Sequence, residues 1–278
     1  MLALHARRSA ESIAAWSQQH GRGLAVVLTG TDLYQDIAGD AQAQRSLQLA
    51  DRLVVLQELG LAALPPALQH KARVIYQSTS TRRELPKTRR ELRAVMVGHL
   101  REVKSPQTLF EAARRLAGRS DILIEHIGAA SEPKWEERAR AAERDCPGYR
   151  WVGPLPHTQA LQAIQRAHVL VHTSAMEGGA HVIMEAVCSG TPVLASRVPG
   201  NVGMLGAGYE GYFEHGDAAG LAGLLERCRA GQARSADDPA PGLLERLRAQ
   251  CALRAPLFSP EAERAALYQL LQELQDTR

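Results

Sequence analysis

The chain has 278 residues and a net charge of +3, and 45% of its residues are hydrophobic and 23% charged. This length predicts two domains, and the composition is that of a globular protein, which excludes wholesale disorder. Aromatic residues are only 4% of the chain and no apolar run reaches the length of a membrane span, so we expect neither a base-stacking surface for nucleic acid nor a membrane-spanning segment.

Short runs of β-branched and leucine residues alternate with amphipathic segments along the whole chain. Continuous apolar runs of this kind are typical of parallel strands covered on both faces of the sheet. We therefore predict strands near 1–5, 24–28, 52–56, 72–76, 94–97, 122–127, 149–152, 168–172 and 192–196. Their alternation with helical segments predicts an α/β architecture with doubly wound parallel sheets.

Polar residues mark the starts of three of the predicted helices. Ser105, Asp217 and Ser259 each precede a helical pattern, and we expect each of them to cap it. The segment Ala230–Pro241 is rich in small and polar residues and is predicted to be a loop.

A segment rich in proline, arginine and threonine divides the alternating pattern in two. We predict an N-terminal lobe over 1–80, a linker over 81–92, a C-terminal lobe over 93–258 and a final helix over 259–278 that packs back on the first lobe. Doubly wound lobes usually open with a strand and a glycine-rich turn. Since neither precedes Met1, we expect that roughly 40–60 residues, the first strand–helix elements of the N-terminal lobe, are absent.

The four cysteines are scattered and form no C-x-x-C pair. This pattern favours free thiols in a reducing compartment and does not fit a disulfide framework or a metal site. We expect a cytoplasmic protein without a signal peptide, a bound metal or a cofactor.

The most informative segment, 174–186, follows a predicted strand and opens a predicted helix. Gly178 and Gly179 allow a ligand to approach the backbone closely, and the helix start suits a diphosphate. Glu185 lies on an apolar helix, where a carboxylate needs hydrogen-bond donors such as a ribose diol, and Glu177 could accept from sugar hydroxyls. Glu177 could instead compensate the helix dipole, and Glu185 could pair with an internal arginine.

Two further loops follow predicted strands at the same edge of the sheet. Gly98 allows a tight turn, and Lys104 lies just before a helix start, where an anion can bind. Val152 and Pro156 belong to a rigid loop that could flank a flat base. An ordinary capped turn with a surface lysine and a plain structural turn are the alternatives.

These segments together resemble the nucleotide-sugar lobe of the family-four glycosyltransferases. That family carries E-x7-E with glycines after the first glutamate, and Glu177 and Glu185 have this spacing. The segment 190–196 also fits the G-x-P-V-x-A-S pattern that follows in the family.

The turn after the strand at 94–97 matches a second family motif, G-R-L-x-x-x-K. Gly98, Leu100 and Lys104 occupy its defining positions. His99 stands where the family has an arginine that contacts the diphosphate, which puts that contact in doubt.

The resemblance implies a GT-B fold with two Rossmann-like lobes and no metal. It implies that Glu185 holds the ribose, Glu177 the sugar hydroxyls and Lys104 the diphosphate. The residues expected to bind the nucleotide sugar are Gly98, Val152, Pro156, Ser174, Gly178, Gly179, Ala180 and Glu185. The residues expected to be catalytic are Glu177, Lys104 and His99.

Segments 3–10, 28–34, 97–101 and 176–180 are also similar to the selenosugar synthases of selenoneine biosynthesis, and His99 fits that subgroup. This similarity implies transfer from a UDP-sugar to selenophosphate, and the expected donor is UDP-N-acetylglucosamine. The expected acceptor-binding residues are His5, Arg7, Thr31 and Asp32. Arg7 could instead be solvated and Asp32 could cap a helix.

Two other functions remain open from the sequence. A hexosyltransferase acting on a hydroxyl acceptor, such as a glycan or a lipid, would use the same nucleotide-sugar lobe. A nucleotide-sugar-binding protein without turnover would also retain it, and the shortened first lobe is the reason to consider this possibility.

Overall fold

The computed structural model describes residues 1–232 and 240–276, and their strands form two parallel sheets. The first sheet, in the order β1-β2-β3-β4, consists of β1 (Leu2–Leu4), β2 (Ala25–Leu28), β3 (Arg52–Val55) and β4 (Ala72–Val74). The second, in the order β10-β9-β8-β5-β6-β7, consists of β5 (Leu92–Val97), β6 (Ile122–Ile127), β7 (Tyr149–Gly153), β8 (Val169–His172), β9 (Val193–Ser196) and β10 (Tyr212–Phe213). The predicted doubly wound α/β class is confirmed.

Helices connect the strands and cover the sheets. The first lobe contains α1 (Ala10–His20), α2 (Ile37–Gly39), α3 (Ala41–Leu49) and α4 (Gly60–Ala63). The second contains α5 (Pro106–Arg115), α6 (Pro133–Asp145), α7 (His157–Arg166), α8 (His181–Val187), α9 (Pro199–Leu205), α10 (Ala218–Gln232) and α11 (Leu243–Arg254), and α12 (Pro260–Asp276) ends the described chain. A π-helical turn, Asp32–Asp36, precedes α2.

The apolar runs that predicted the strands are buried because helices pack on both faces of each sheet. In β8, Val169, Leu170 and Val171 have no exposed surface. Each sheet has its own hydrophobic core, centred on residues such as Leu53 in the first and Leu170 in the second. The pattern failed to predict β10, because its two residues at the sheet edge are too few for a periodic signal.

The C-terminal helix returns to the first sheet after the second sheet is complete. Leu270 and Leu274 of α12 pack against that sheet. Glu273 forms ion pairs with Arg52 and Arg73 of the adjacent strands at 2.5 and 2.8 Å. The helix therefore covers a face of the N-terminal sheet with both apolar and charged contacts.

Two of the three predicted helix caps are present. The Asp217 carboxylate accepts from Gly220 N at 2.8 Å, and the Ser259 hydroxyl accepts from Ala262 N at 3.1 Å. The prediction for Ser105 was wrong, because its backbone is left-handed (φ 46°) and its hydroxyl makes no cap hydrogen bond.

The loop predicted over Ala230–Pro241 begins later than expected. Helix α10 continues through Gln232, which corrects the start of that loop. Residues 233–239 of the predicted loop lie outside the described residues.

Candidate functional site

The two lobes meet where the loops at the carboxyl ends of their parallel strands face each other. A Cβ on Gly178 would lie 2.5 Å from Gly30 N, across the boundary between the lobes. A Cβ on Gly179 would lie 2.7 Å from Leu56 Cβ. Glycine is therefore required at both positions by the close approach of the N-terminal lobe, as well as by any ligand.

Three charged or titratable side chains meet beside this junction. Lys104 Nζ lies 2.5 Å from Glu177 Oε1, and His172 Nε2 lies 3.2 Å from the same oxygen. Lys104 comes from the short helical turn after β5, His172 is the last residue of β8, and Glu177 follows in the next loop. The fold thus brings together two predicted residues, Lys104 and Glu177, and adds a third, His172.

The electrostatics of this cluster keep Glu177 ionised. Burial by itself raises the pKa of Glu177, but the His172 and Lys104 side chains together hold it well below its usual range. Burial lowers the pKa of His172, and the charge on Lys104 lowers it further, while Glu177 opposes both effects. Glu177 is therefore an acceptor of hydrogen bonds at neutral pH and a poor base.

The backbone that presents Lys104 is held by hydrogen bonds from distant parts of the lobe. The Thr173 hydroxyl donates to Lys104 O at 2.7 Å. Ser105, in its left-handed conformation, is paired through Oγ with His215 Nε2 at 2.8 Å. A non-glycine residue with positive φ costs free energy, so these contacts maintain the turn that orients the lysine.

Glu185 is buried on α8, with 6% of its surface exposed, and two histidine side chains are the partners of its carboxylate. His157 Nε2 lies 2.7 Å from Glu185 Oε1, and His181 Nε2 lies 3.6 Å from the same oxygen. The expected alternative partner, an internal arginine, is not found among the described residues. Both histidine side chains are at least half exposed, so a ligand can reach the carboxylate by displacing them.

The turn after β5 is compact at Gly98 and open at His99. A Cβ on Gly128 would overlap Gly98 O, so the two turns pack backbone against backbone. His99 is exposed, and its Nδ1 accepts from Ala129 N at 3.2 Å. The ring can therefore contact a ligand through Nε2 without losing this bond.

The remaining predicted contacts differ in accessibility. Val152 is half-buried and Pro156 is exposed, at the loop that leads into α7. Ala180 is 3% exposed, and it directly precedes α8. Ser174 is fully buried, and its hydroxyl has no hydrogen-bond partner among the described residues. A ligand therefore cannot reach this hydroxyl, as the prediction requires, unless neighbouring groups move.

The four predicted acceptor residues lie at the carboxyl ends of β1 and β2. Asp32 is completely buried, and its carboxylate accepts from Ala6 N at 2.9 Å and from Thr29 N at 2.6 Å. Thr31 is exposed on the same turn. Asp32 thus ties the two loops together, and in this structure its oxygens are already used. It does not cap a helix through its side chain.

His5 and Arg7 form a second pair of contacts on the same edge. Arg7 Nε donates to Asp36 Oδ2 at 3.0 Å. His5 is 5% exposed with φ at 72°, and its Nε2 has no hydrogen-bond partner among the described residues. A strained, buried imidazole next to the lobe junction is a feature that functional sites often retain.

Four histidines that contact the site were not among the predicted site residues: His157, His172, His181 and His215. For His157, His172 and His215 the signal was weak, because the partner of each lies far away along the chain or in another element, whereas His181 lies one turn before Glu185 on α8 and could have been found from that spacing. No group of three or more His, Cys, Asp or Glu side chains in residues 1–232 and 240–276 is arranged to hold a metal ion. Over the same residues, no helix is long and apolar enough to cross a bilayer.

Solved structures with the same arrangement of lobes are glycosyltransferases of the GT-B fold. HepE from Anabaena, in complex with UDP and glucose, is 17% identical with a TM-score of 0.74. The superposition covers 98% of this chain and 78% of the HepE chain. TarM from S. aureus, in complex with UDP and α-GlcNAc-glycerol, is 14% identical with a TM-score of 0.67. The superposition covers 89% of this chain and 50% of the TarM chain. At these identities the likeness establishes the GT-B fold.

Sequence comparison gives a relative and a family. A glycosyltransferase 1 domain-containing protein of Xenopus tropicalis is 29% identical over 108 residues, which are 38% of this chain and 31% of that protein. The chain thus covers about a third of this relative and half of TarM. The pattern of the family described as "Glycosyl transferases group 1" matches residues 77–232, more than half of the chain. The chain therefore belongs to the glycosyl transferases group 1 family.

Proposed function

We propose that this protein transfers a sugar from a UDP-sugar that binds in the C-terminal lobe, at the junction with the N-terminal lobe. The observation that carries the proposal is the contact of Lys104 with Glu177 beside the Gly178–Gly179 loop. It combines a cation for a diphosphate and an ionised acceptor for sugar hydroxyls at the carboxyl edge of a parallel sheet, where ligands of such folds bind. The presence of UDP in the HepE and TarM complexes supports this donor.

The proposed roles follow from what each side chain can exchange. Lys104 gives up part of its contact with Glu177 and neutralises the diphosphate, which becomes the leaving group. Glu185 exchanges His157 for the two hydroxyls of the ribose, because a buried carboxylate needs donors in either state. Val152 and Pro156 flank the base.

We propose that the acceptor is selenophosphate and the donor UDP-N-acetylglucosamine, by similarity to the selenosugar synthases. Selenium attacks C1 of the sugar, the bond from C1 to the diphosphate oxygen breaks, and UDP leaves with the electron pair. Water then cleaves the selenium–phosphorus bond to give the selenosugar and phosphate. The low pKa of Glu177 supports this choice, because an anionic nucleophile needs no strong general base.

The test is to incubate the full chain with UDP-N-acetylglucosamine and selenophosphate and to look for a selenosugar by mass spectrometry. We expect UDP and the selenosugar in equal amounts. Release of UDP only in the presence of a glycan or lipid would contradict selenophosphate as the acceptor.

The second candidate is transfer to a hydroxyl group. The observation that favours it is the α-GlcNAc-glycerol in the TarM complex, a sugar joined to an alcohol. Glycerol and glycan acceptors belong in the same assay for this reason. UDP binding without UDP release under any acceptor would instead identify a nucleotide-sugar-binding protein without turnover.

The site itself is tested by the variant Glu185→Ala, which should weaken UDP binding about tenfold or more in calorimetry, since a buried charged hydrogen bond is lost. Glu245→Ala is the matched control, because Glu245 is an exposed carboxylate that caps the distant helix α11.

We also infer a cytoplasmic location from the four cysteines, all free and buried.

A further inference from the structure

His172 is a buried polar residue at the end of an apolar strand. It follows three completely buried aliphatic residues in β8 and is itself only 2% exposed. Its Nε2 lies 3.2 Å from Glu177 Oε1 but is not aligned as a hydrogen bond, and it has no hydrogen-bond partner among the described residues. Burying an imidazole nitrogen in this way costs free energy, which the neighbouring carboxylate offsets only in part.

Lys104 and His172 contact the same oxygen of Glu177. Lys104 is the closer of the two, at 2.5 Å against 3.2 Å, and it takes the better position. Under the proposed function, on which this inference rests, Lys104 turns to the diphosphate of the donor. Once the ammonium group moves, His172 is the remaining ion-pair partner of Glu177 among the described residues.

The backbone of Glu177 cannot follow Lys104, because it is held on both sides. A Cβ on Gly200 would overlap Glu177 O, and a Cβ on Gly178 would lie 2.5 Å from Gly30 N. Only the side chain of Glu177 is free to adjust. Its direction in the donor complex is therefore decided by the partners of its carboxylate.

We propose that His172 is a positioning residue that takes over Glu177 when Lys104 engages the diphosphate, and that it holds the carboxylate toward the hydroxyls of the donor sugar. In this structure, His172 Nε2 lies 3.2 Å from Glu177 Oε1, the oxygen that Lys104 also contacts. In the donor complex, a small rotation of Glu177 completes the hydrogen bond from Nε2. The donor thus exchanges one partner of Glu177 for another and never leaves the carboxylate unpaired.

The experiment compares His172→Leu with His172→Gln in the full chain. Calorimetry gives the affinities for UDP and for UDP-N-acetylglucosamine, and thermal melting reports folding. For His172→Leu we expect the affinity for the sugar nucleotide to fall about tenfold, as for loss of a charge-assisted hydrogen bond, and that for UDP to change less than about threefold. Gln retains a donor and should recover part of the loss. His168→Asn, a buried histidine beside the other end of β8, is the matched control.

A double-mutant cycle with Glu177→Gln separates this inference from the proposed function. If His172 acts through Glu177, its substitution costs much less sugar-nucleotide affinity in the Glu177→Gln background. Additive losses, or equal losses for UDP and the sugar nucleotide in His172→Leu, would overturn the inference. If Glu177→Gln alone leaves both affinities unchanged, the proposed role of Glu177 fails as well.

Discussion

The two lobes each place a carboxylate at the carboxyl edge of a parallel sheet, but they satisfy it in different ways. In the N-terminal lobe, Asp32 is held by backbone amides of two loops, with the Thr29 hydroxyl as a further donor. In the C-terminal lobe, Glu177 and Glu185 are held by the side chains of lysine and histidine. Side chains can rotate away when a ligand arrives, whereas backbone amides can be released only if a loop changes conformation. The difference supports the proposal that the C-terminal cluster binds the donor and that Asp32 belongs to the framework of the cleft.

The largest expected effect tests the framework role of Asp32. Asp32→Ala leaves the buried Ala6 N and the partly buried Thr29 N without their acceptor, so the free energy of unfolding should fall by about 2–4 kcal/mol in chemical denaturation. Asp36→Ala is the control, because the partners of Asp36 are side chains, the half-exposed Arg7 at 3.0 Å and the His5 ring at 3.8 Å, and its loss should cost less, about 1 kcal/mol. Equal losses in the two variants would remove the distinction between backbone-held and side-chain-held carboxylates.

The next prediction concerns the contact between the lobes. In Gly178→Ala the added Cβ meets Gly30 N at 2.5 Å, and since backbone cannot yield, the lobes must separate. We expect kcat/KM for transfer to fall about 100-fold, because a displacement near 1 Å disrupts the alignment of the substrates. The affinity for UDP should fall less than kcat/KM, since the proposed UDP site lies in one lobe whereas transfer needs both lobes aligned.

Gly118→Ala is the matched control for this variant, because a Cβ there meets nothing within 4 Å and the residue has no positive φ. Its kcat/KM should stay within twofold of the parent. Loss of UDP affinity in Gly178→Ala equal to the loss in kcat/KM would show that both lobes bind the nucleotide.

A smaller effect, of opposite sign, is expected at Glu185. His157→Ala removes the partner that a ribose must displace, so the affinity for UDP should rise about two- to fivefold in calorimetry. The gain is small because the His157 side chain is 69% exposed and solvent screens the pair. His70→Ala, at an exposed histidine of the first lobe, should leave the affinity unchanged. A fall in affinity would mean that His157 itself contacts the nucleotide.

The smallest effect concerns thiol reactivity. It reports on the C-terminal lobe alone, because all four cysteines follow residue 145. Burial raises the pKa of Cys228 to about 12 and that of Cys251 to about 11, and it raises the pKa of Cys146 and Cys188 as well. We expect no reaction with a thiol reagent at pH 8 in the folded protein and four reactive thiols after denaturation. If Asp32→Ala unfolds only the first lobe, the four thiols of this variant should still not react with the reagent in mild denaturant.

The elements of the fold were largely predictable, because an apolar run in a covered parallel strand is a local signal. The predicted strand at 122–127 coincides with β6, and the prediction at 52–56 differs from β3 by one residue. Ser105 was predicted incorrectly for a physical reason. Its hydroxyl is drawn to His215, 110 residues away, and its backbone adopts a left-handed conformation that helix-start preferences do not describe.

The sequence by itself determined the α/β class, the family motifs and the pair Glu177 and Glu185, because spacing along one chain segment carries that information. Only the tertiary structure decided the partners of those carboxylates. His172 and Lys104 meet at Glu177 because parallel strands end at one edge of a sheet, although Lys104 and Glu177 are 73 residues apart. The same packing used up the oxygens of Asp32 within the protein, since a carboxylate that is completely buried must find its donors there.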